Sequence, residues 1–197
     1  MSNLFKTLEL AAFRSGITPR TSQSRDWFRK KAQAIRGVNR EALMKEEELK
    51  NTKSEITGHM YMFFYDPKTK DQLPYYDKFP LVIVVGPAQG GFYGLNLHYL
   101  PQTLRAKFLD GLLDITNNKK YDATTKFKMS YSFLKRSSKL KYFAPCFKHY
   151  LTDHVKGQFA KVSAPEYEIA IFLPTADWAK GNPNKVYADS RKIISGI

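Results

Sequence analysis

The sequence predicts an α+β protein in which helices flank a small antiparallel sheet that is bent or rolled into a partial SH3-like barrel. Aromatic and β-branched residues alternate in the centre of the chain, turns rich in Gly and Pro separate them, and amphipathic stretches lie on both sides. With 43% hydrophobic and 14% aromatic residues among 197, the chain can bury a sizeable core. We divide it into an N-terminal arm and helical segment (1–57), a barrel-like module with helices (58–175) and an irregular C-terminal tail (176–197).

The first segment is expected to begin as an extended arm, because Gly16, Pro19 and a cluster of Ser and Thr interrupt regular structure. From Ser24 to about Lys50, an intermittent apolar stripe predicts one or two helices with basic side chains on the polar side. Two interpretations of this segment stay open. It is either an amphipathic helix resting on its own core or an arm that orders against a neighbouring subunit.

Three strands are predicted in the centre of the chain. Residues 60–65 alternate and stop at Asp66 and Pro67, residues 79–85 form a β-branched run, and residues 92–99 return after a Gly-rich turn. The turn, residues 86–91, lacks the Lys-Ser/Thr ending of a phosphate-binding loop, so it predicts a hairpin connection.

Helices are predicted to follow the strands. Pro101 opens a helix whose apolar residues recur every three or four positions as far as Asn117 and Asn118, whereas residues 124–132 fit either a helix or a strand. A second helix is predicted from Pro145 to Gly157, and a third, with a capping box, over residues 163–172.

The formal net charge of +14 is concentrated in two blocks. Residues 102–165 contain 13 basic and 4 acidic residues and residues 1–57 contain 12 and 7, whereas the remaining segments are neutral. Charge spread evenly would indicate solubility alone, but this segregation favours a polyanionic partner whose binding depends on salt. No motif that reads base sequence is recognisable.

Two sets of contact residues are predicted. The residues expected to bind nucleic acid are Lys135, Arg136, Lys139, Lys141, Lys148, Arg105 and Lys107. The residues expected to meet partner proteins, or to line the rim of the barrel, are Trp27, Tyr61, Tyr65, Tyr75 and Tyr76. A third group of aromatic residues lies inside the basic block and is assigned to the core in preference to base stacking: Phe127, Tyr131, Phe133, Tyr142 and Phe143.

The most chemically suggestive residue is His98, which Asp66 or Asp77 can approach across a sheet to form an acid–base pair. The alternative, that these groups hydrogen-bond turns, is favoured because no nucleophile or phosphate-binding loop accompanies them. We therefore expect no enzymatic activity. We also expect no metal or cofactor, since Cys146 is the single cysteine. The longest apolar run is too short to cross a membrane, so we expect a soluble protein of cytosolic origin.

Several motifs in the centre of the chain have a family resemblance. They are residues 58–68 (GHMYMFFYDPK), 73–77 (LPYYD), 79–82 (FPLV), 94–101 (GLNLHYLP) and 104–105 (LR). They resemble a small protein of T-even-type tailed bacteriophages, the DNA end protector or head completion family. The resemblance extends more loosely through residues 143–146 and 171–174, and so covers residues 58–175.

This resemblance implies a virion protein, assembled in the host cytoplasm, that protects the packaged DNA end or completes the head and neck. Its partners would be other virion proteins of the portal, neck or tail region, with a double-stranded DNA end as a further partner and no membrane. The alternative is a neck, tail-tube or baseplate component that acts only through protein contacts. A nuclease or toxin-like RNase is a third class, weakened by the lack of converging carboxylates in the sequence.

Overall fold

The structure is a computed structural model that describes residues 3–55, 57–116, 119–137 and 139–196. Its helices are α1 (Leu4–Arg14), α2 (Ser22–Gln33), α3 (Arg40–Leu43), α4 (Gln102–Thr116), α5 (Ala123–Ser137), α6 (Tyr167–Ala170) and α7 (Pro183–Ser195). Its strands are β1 (Lys50–Thr52), β2 (Met60–Tyr65), β3 (Tyr76–Asp77), β4 (Leu81–Ala88), β5 (Gly91–Asn96), β6 (Phe147–Leu151), β7 (Val155–Val162) and β8 (Trp178–Ala179). Four 3₁₀ helices connect them: Leu97–Tyr99, Lys141–Cys146, Thr152–His154 and Ala164–Glu166.

Six strands form one antiparallel sheet in the order β1-β7-β2-β4-β5-β6, and β3 pairs with β8 in a separate two-stranded sheet. This arrangement confirms the predicted α+β class with an antiparallel sheet and flanking helices. Strands β1 and β6 lie at opposite edges, so the described strands do not close into a barrel. The SH3-like detail therefore stays a prediction.

The large sheet is buried on both faces. Alternate residues of β2 and β4 (Met60, Met62, Leu81 and Ile83) join the main core under the helices. Their neighbours join a second, largely aromatic cluster on the other face: Tyr61, Phe63, Tyr65, Val82, Val84, Phe92, Tyr150 and Phe159. Register shifts interrupt the β2–β7 and β4–β5 ladders, and such bulges bend strands.

Phe63 lies at the centre of the aromatic cluster and is fully buried. Its ring meets those of Phe92, Tyr150 and Phe159 edge-on, at centroid distances of 5.9, 5.4 and 5.1 Å. Edge-to-face pairs of this kind contribute about 0.5–1.5 kcal/mol each beyond the burial of their area. The second face of the sheet is therefore a core in its own right.

Both ends of the chain are more regular than predicted. The expected arm is the helix α1, which Asn3 caps and which buries Phe5, Leu8 and Ala12. The expected irregular tail contains α7, which Asn182 caps and which buries Val186 and Ser190. One hydrophobic core cluster includes residues of all three predicted segments; the boundaries drawn at residues 57 and 175 stay a prediction.

Two later elements also differ from expectation. Residues 145–157 do not form a helix, because Pro145 lies in a 3₁₀ helix and β6 pairs with β5 from Phe147 onward. The ambiguous residues 124–132 lie within α5, and residues 163–172 contain only a 3₁₀ turn and the short α6. Helix α4 matches the prediction, and its expected end at Asn117 and Asn118 falls outside the described residues. None of the helices in the described part of the chain is long and apolar enough to span a membrane.

The start of β5 requires a glycine, because the backbone of β6 passes very close to it. A Cβ atom on Gly91 would lie 1.8 Å from the carbonyl oxygen of Tyr150, whereas one on Gly86 meets nothing within 4 Å. We predict that Gly91→Ala lowers the free energy of unfolding by about 1–3 kcal/mol, because β6 must shift away from β5. Urea denaturation measures this, with Gly86→Ala as the matched control. Equal effects of the two substitutions would contradict the predicted approach of β5 and β6.

Candidate nucleic-acid interface

Helix α5 is the most strongly basic element of the chain. It contains four basic residues and no acidic one, and across residues 119–141 the sequence has eight basic residues against the single acidic Asp122. A backbone N–H of Thr125 donates to the Asp122 carboxylate at 2.7 Å, which caps the helix start. The helix is held to the core by Leu134, which is fully buried, and by Phe133.

The exposed end of this helix forms what we call the basic cluster: Lys135, Arg136, Lys139 and Lys141. All four residues are exposed, and the first three line a shallow surface depression together with Ser132. The Lys139 N–H donates to the Arg136 carbonyl at 3.0 Å, so the backbone of Lys139 is held close to the end of the helix. The structure thus brings together Lys135, Arg136 and Lys139, three of the seven residues predicted to bind nucleic acid, and the exposed Lys141 follows two residues later in the chain.

An exposed aromatic ring follows the basic cluster. Tyr142 is 61% exposed and Leu140, two residues before it, is 50% exposed, so the prediction that Tyr142 belongs to the core is wrong. Phe133 and Phe143 do belong to the core, where both contact the ring of Phe108. The side chains of Phe127 and Tyr131 fall outside the described residues. Tyr142 is therefore a ring beside the cations that is available to stack on a base.

The prediction that Arg105 binds nucleic acid is wrong. Its side chain is buried and donates to the carbonyl oxygens of Leu100, Ile171 and His98 and to the Tyr187 hydroxyl, at 2.7 to 3.3 Å. Burial lowers the pKa of this guanidinium, which is kept in place by these acceptors. Arg105 therefore joins segments of the core and does not reach phosphate.

The two other predicted cations lie apart from the basic cluster. Lys107 is exposed on α4. Lys148 is partly buried on β6, with its Nζ atom 4.1 Å from the centre of the Tyr99 ring, and burial lowers the pKa of this ammonium. Contact of either residue with nucleic acid stays a prediction.

Some of the aromatic residues predicted to bind partner proteins are buried, and the others are partly accessible. Tyr61 is fully buried and Tyr65 is 9% exposed, because both belong to the aromatic cluster under the sheet, so neither presents its ring to a partner. Trp27, Tyr75 and Tyr76 keep part of their surface accessible. Partner contact stays a prediction for these three.

His98 pairs with Asp77, one of the two carboxylates considered. Its Nδ1 lies 2.6 Å from the Asp77 carboxylate and its Nε2 lies 3.0 Å from the Thr175 hydroxyl. Burial would raise the pKa of Asp77, but His98 and the N–H groups of Asp177 and Phe79 outweigh it, so the pKa is lowered. Burial also lowers the pKa of His98 despite the adjacent carboxylate. The pair is thus a neutral imidazole that donates to a carboxylate.

In the order Asp77–His98–Thr175, a carboxylate orients an imidazole base, and the base lies beside a hydroxyl that it can activate as a nucleophile. His98 and Thr175 are nevertheless fully buried, so the hydroxyl is closed to any substrate in this conformation. Asp66 pairs with Lys70 at 3.0 Å instead. In the described ranges, no group of three metal-ligating side chains is placed to hold an ion. The triad thus connects parts of the fold, a role that the spacing of its residues in the sequence does not reveal.

Almost the whole chain also matches a known protein family. A family model described as the phage T4 terminal DNA protecting protein matches residues 6–194. The chain belongs to this family. The match confirms the resemblance seen in the central motifs and extends it over both ends of the chain. No curated protein matches significantly, and neither does any solved structure.

The buried pair makes stability depend on pH. The pKa values of both Asp77 and His98 are lowered on folding, so the folded state favours their deprotonated forms. Their contribution to the free energy of unfolding is complete above pH 6.5, the ordinary pKa of His. It is lost as the pH falls below this value, first through His98 and then through Asp77. We predict that the free energy of unfolding falls by up to about 1.4 kcal/mol per pH unit for each proton that the pair takes up on unfolding.

Urea denaturation between pH 7.5 and 4.5 measures this dependence. His98→Gln should make the curve shallower between pH 6.5 and 5, since the titrating group is removed. His149→Gln, at an exposed histidine, should keep the dependence of the unmodified chain. Parallel curves for all three proteins would contradict the assignment to His98.

Proposed function

We propose that this protein binds the ends of double-stranded phage DNA directly and that the basic cluster on α5 contacts the DNA backbone there. The observation that carries the proposal is the concentration of exposed cations at Lys135, Arg136, Lys139 and Lys141 in a member of a terminal DNA protecting family. Lysine and arginine bind phosphate by charge and release counterions from the duplex. Such contacts position a protein without reading sequence.

This mode of binding suits a protein that must hold a DNA end whatever its sequence. Tyr142 adds a flat ring beside the cations, and only at an end is the outer face of a base pair free to stack on such a ring. End preference would then come from stacking, and affinity from charge. The two contributions are separable, because only the second weakens steeply with salt.

We further propose that protection is stoichiometric and involves no catalytic turnover. The Asp77–His98–Thr175 group supports this, since all three side chains are buried and His98 is hydrogen-bonded to both of the others. A bound protein that covers the end excludes a nuclease by occupying its substrate. In this proposal the protein resides in the virion, where it is added during assembly in the host cytoplasm.

A second role, in which the protein completes the head or neck through protein contacts, is favoured by one observation. On helix α1, the side chain of Phe13 is 80% exposed and that of Leu10 is 45% exposed. A helix that contacts only water would carry polar side chains at such positions. These side chains are suited to contact a virion protein of the portal or neck region. Both roles can coexist, because α1 and α5 are separate elements.

Neutralising the basic cluster tests the DNA contact. We expect Lys135→Ala, Arg136→Ala, Lys139→Ala and Lys141→Ala, combined, to weaken duplex binding. The slope of log Kd against log salt should fall by up to about 3.6, or about 0.9 for each phosphate that is no longer neutralised. Fluorescence anisotropy with a short duplex at increasing salt measures both quantities.

The matched control removes the same charge elsewhere. Lys30, Arg36, Lys45 and Lys53 are all exposed in the N-terminal basic block, so their combined change to Ala gives an equal net charge. The control should keep most of the affinity and slope. If both variants lose affinity equally, total charge and not the basic cluster determines binding.

Stoichiometric protection is tested with a nuclease. Linear duplex incubated with the protein and Mg²⁺ should stay intact, and added exonuclease should be blocked in proportion to protein until each end is occupied. Degradation of the DNA by the protein alone, abolished by His98→Gln, would contradict the proposal and indicate an enzyme. Degradation that persists in that variant would point to a contaminating nuclease, which repeated purification should remove.

A further inference from the structure

A cavity of about 600 Å³ lies beside the two-stranded sheet, between β3, β6 and α7. Its lining includes five tyrosines and three prolines: Tyr65, Pro67, Pro74, Tyr75, Tyr76, Tyr99, Pro145 and Tyr150. Lys68 and Lys148 are the two lysines among its described lining residues, and Ile193 of α7 lies at its edge, half exposed. Its volume lies within the range of cavities that hold small molecules. We call it the tyrosine cavity.

The lining residues of this cavity include two lysines and one carboxylate, and a further carboxylate, that of Asp189 on α7, interacts with the hydroxyl of Tyr75. No carboxylate forms a salt bridge with Lys148 in the described part of the chain, and its ammonium instead lies over the ring of Tyr99. Among the lining residues that the structure describes, Asp77 alone is acidic. Its two oxygens already accept from Phe79 N, Asp177 N, Asn96 Nδ2 and His98 Nδ1, at 2.6 to 3.2 Å. A partly buried cation without an internal anion is suited to bind an anionic group of a ligand.

The aromatic walls are held in position by the fold. Tyr75 meets the indole of Trp178 edge-on at 6.1 Å, and Tyr99 meets the same indole edge-on at 4.9 Å. Tyr75 and Tyr76 are only partly buried, so they keep accessible surface toward the cavity. Rigid rings of this kind bind the faces of bases with little loss of entropy, whatever the base.

We propose that the tyrosine cavity receives the terminal nucleotide of a DNA strand, its base against Tyr75 and Tyr76 and its phosphate on Lys148 and Lys68. This inference rests on the proposed function and deepens it, because it adds to the stacking on Tyr142 a second site, which holds the last nucleotide. A ligand that is both aromatic and anionic matches both features of the cavity. An apolar peptide would leave the two cations without a partner.

An end is suited to this cavity better than the middle of a strand. The cavity lining includes the buried residues Asp77, Asn96 and Tyr150, so a nucleotide bound there lies against the protein interior. A terminal nucleotide brings one backbone connection, whereas an internal nucleotide brings two. Unpairing a base costs a few kcal/mol and is easiest at an end, where the base is stacked on one side only.

The connection to the basic cluster is short. The chain runs from Lys141, the last residue of the cluster, through the 3₁₀ helix Lys141–Cys146 to Pro145 and Lys148 in the cavity. This 3₁₀ helix packs against α7, which forms another part of the cavity wall. Cations for the duplex and a cavity for its last nucleotide are therefore carried by consecutive segments.

The experiment uses the full chain and a short duplex carrying the fluorescent base 2-aminopurine at its terminal position. A second duplex carries 2-aminopurine internally, and competition with linear or closed-circular DNA of equal length measures end preference. We expect the protein to change the emission of the terminal probe severalfold and to leave the internal probe nearly unchanged. Linear DNA should compete better than circular DNA.

Two variants target the cavity, and a third is the control. Lys148→Met keeps the apolar stem and removes the charge, and should weaken binding to linear DNA about tenfold, as expected for one charge-assisted contact, with circular DNA unaffected. Ile193→Trp, at the half-exposed edge, should block entry and abolish the terminal signal without altering the core. Lys156→Met, an exposed lysine on β7 outside the cavity, should behave as the unmodified protein.

The outcomes separate this inference from the proposed function. If the unmodified protein prefers linear DNA and both cavity variants keep that preference and the terminal signal, the cavity assignment is overturned and end binding by the basic cluster stands. If the unmodified protein binds linear and circular DNA equally, end recognition itself fails and the inference fails with it. Loss of the preference in both cavity variants, with the control intact, supports the assignment.

Discussion

The carboxylate of Asp77 imposes a constraint on which much of the structure depends. A buried charge is costly unless it is hydrogen-bonded, and this one is satisfied by donors at positions 79, 96, 98 and 177. Strand β3, the end of β5, the following 3₁₀ helix and the segment before β8 must therefore meet at one point. The Nε2 atom of His98 then accepts from the hydroxyl of Thr175, whose carbonyl oxygen accepts from Arg40 of α3 at 2.8 Å. The carbonyl oxygen of His98 in turn accepts from Arg105 of α4. Segments from the N-terminal, central and C-terminal parts of the chain are thus connected through one polar group.

In the rest of the fold, the buried residues and the exposed cations lie on different elements. The large sheet is covered by the helical core on one face and by its own aromatic cluster on the other, so strands β2 and β4 at the neutral centre of the sequence have little surface accessible to a partner. The exposed cations of the described residues lie mainly on helices and connecting segments outside the sheet, and those of α5 have no acidic residue within the helix. An interface based on such a surface binds by charge, tolerates any base sequence and weakens as salt screens it. These are the properties expected where a protein must hold a DNA end of arbitrary sequence.

The proposed assignment divides recognition between two neighbouring sites. The basic cluster supplies affinity for the backbone, which an end shares with every other part of the duplex. The tyrosine cavity supplies aromatic and cationic contacts for a terminal nucleotide, which brings one backbone connection and is the easiest to unpair. Lys148 belongs to the second site and not to the first, although it lies in the same basic block of the sequence. A protein organised in this way gains specificity for ends without any contact that reads sequence.

Local periodicity, composition and motifs were enough to predict the α+β class, the central strands, helix α4, the segregation of charge and the family. They did not reveal α1 or α7, and they predicted a helix where β6 pairs with β5, since an apolar spacing that fits a helix yields to a sheet edge in need of a partner. Nor did they separate Arg105 from Lys107, or Tyr61 from Tyr75, although each pair is alike in type and neighbourhood. These distinctions arise only when the chain is folded, because burial of a cation depends on a carbonyl group 66 residues away and burial of a ring depends on strands that meet it across the sheet. The cavity depends on residues from position 65 to position 193, and no local pattern in a sequence can indicate that such distant residues share one wall.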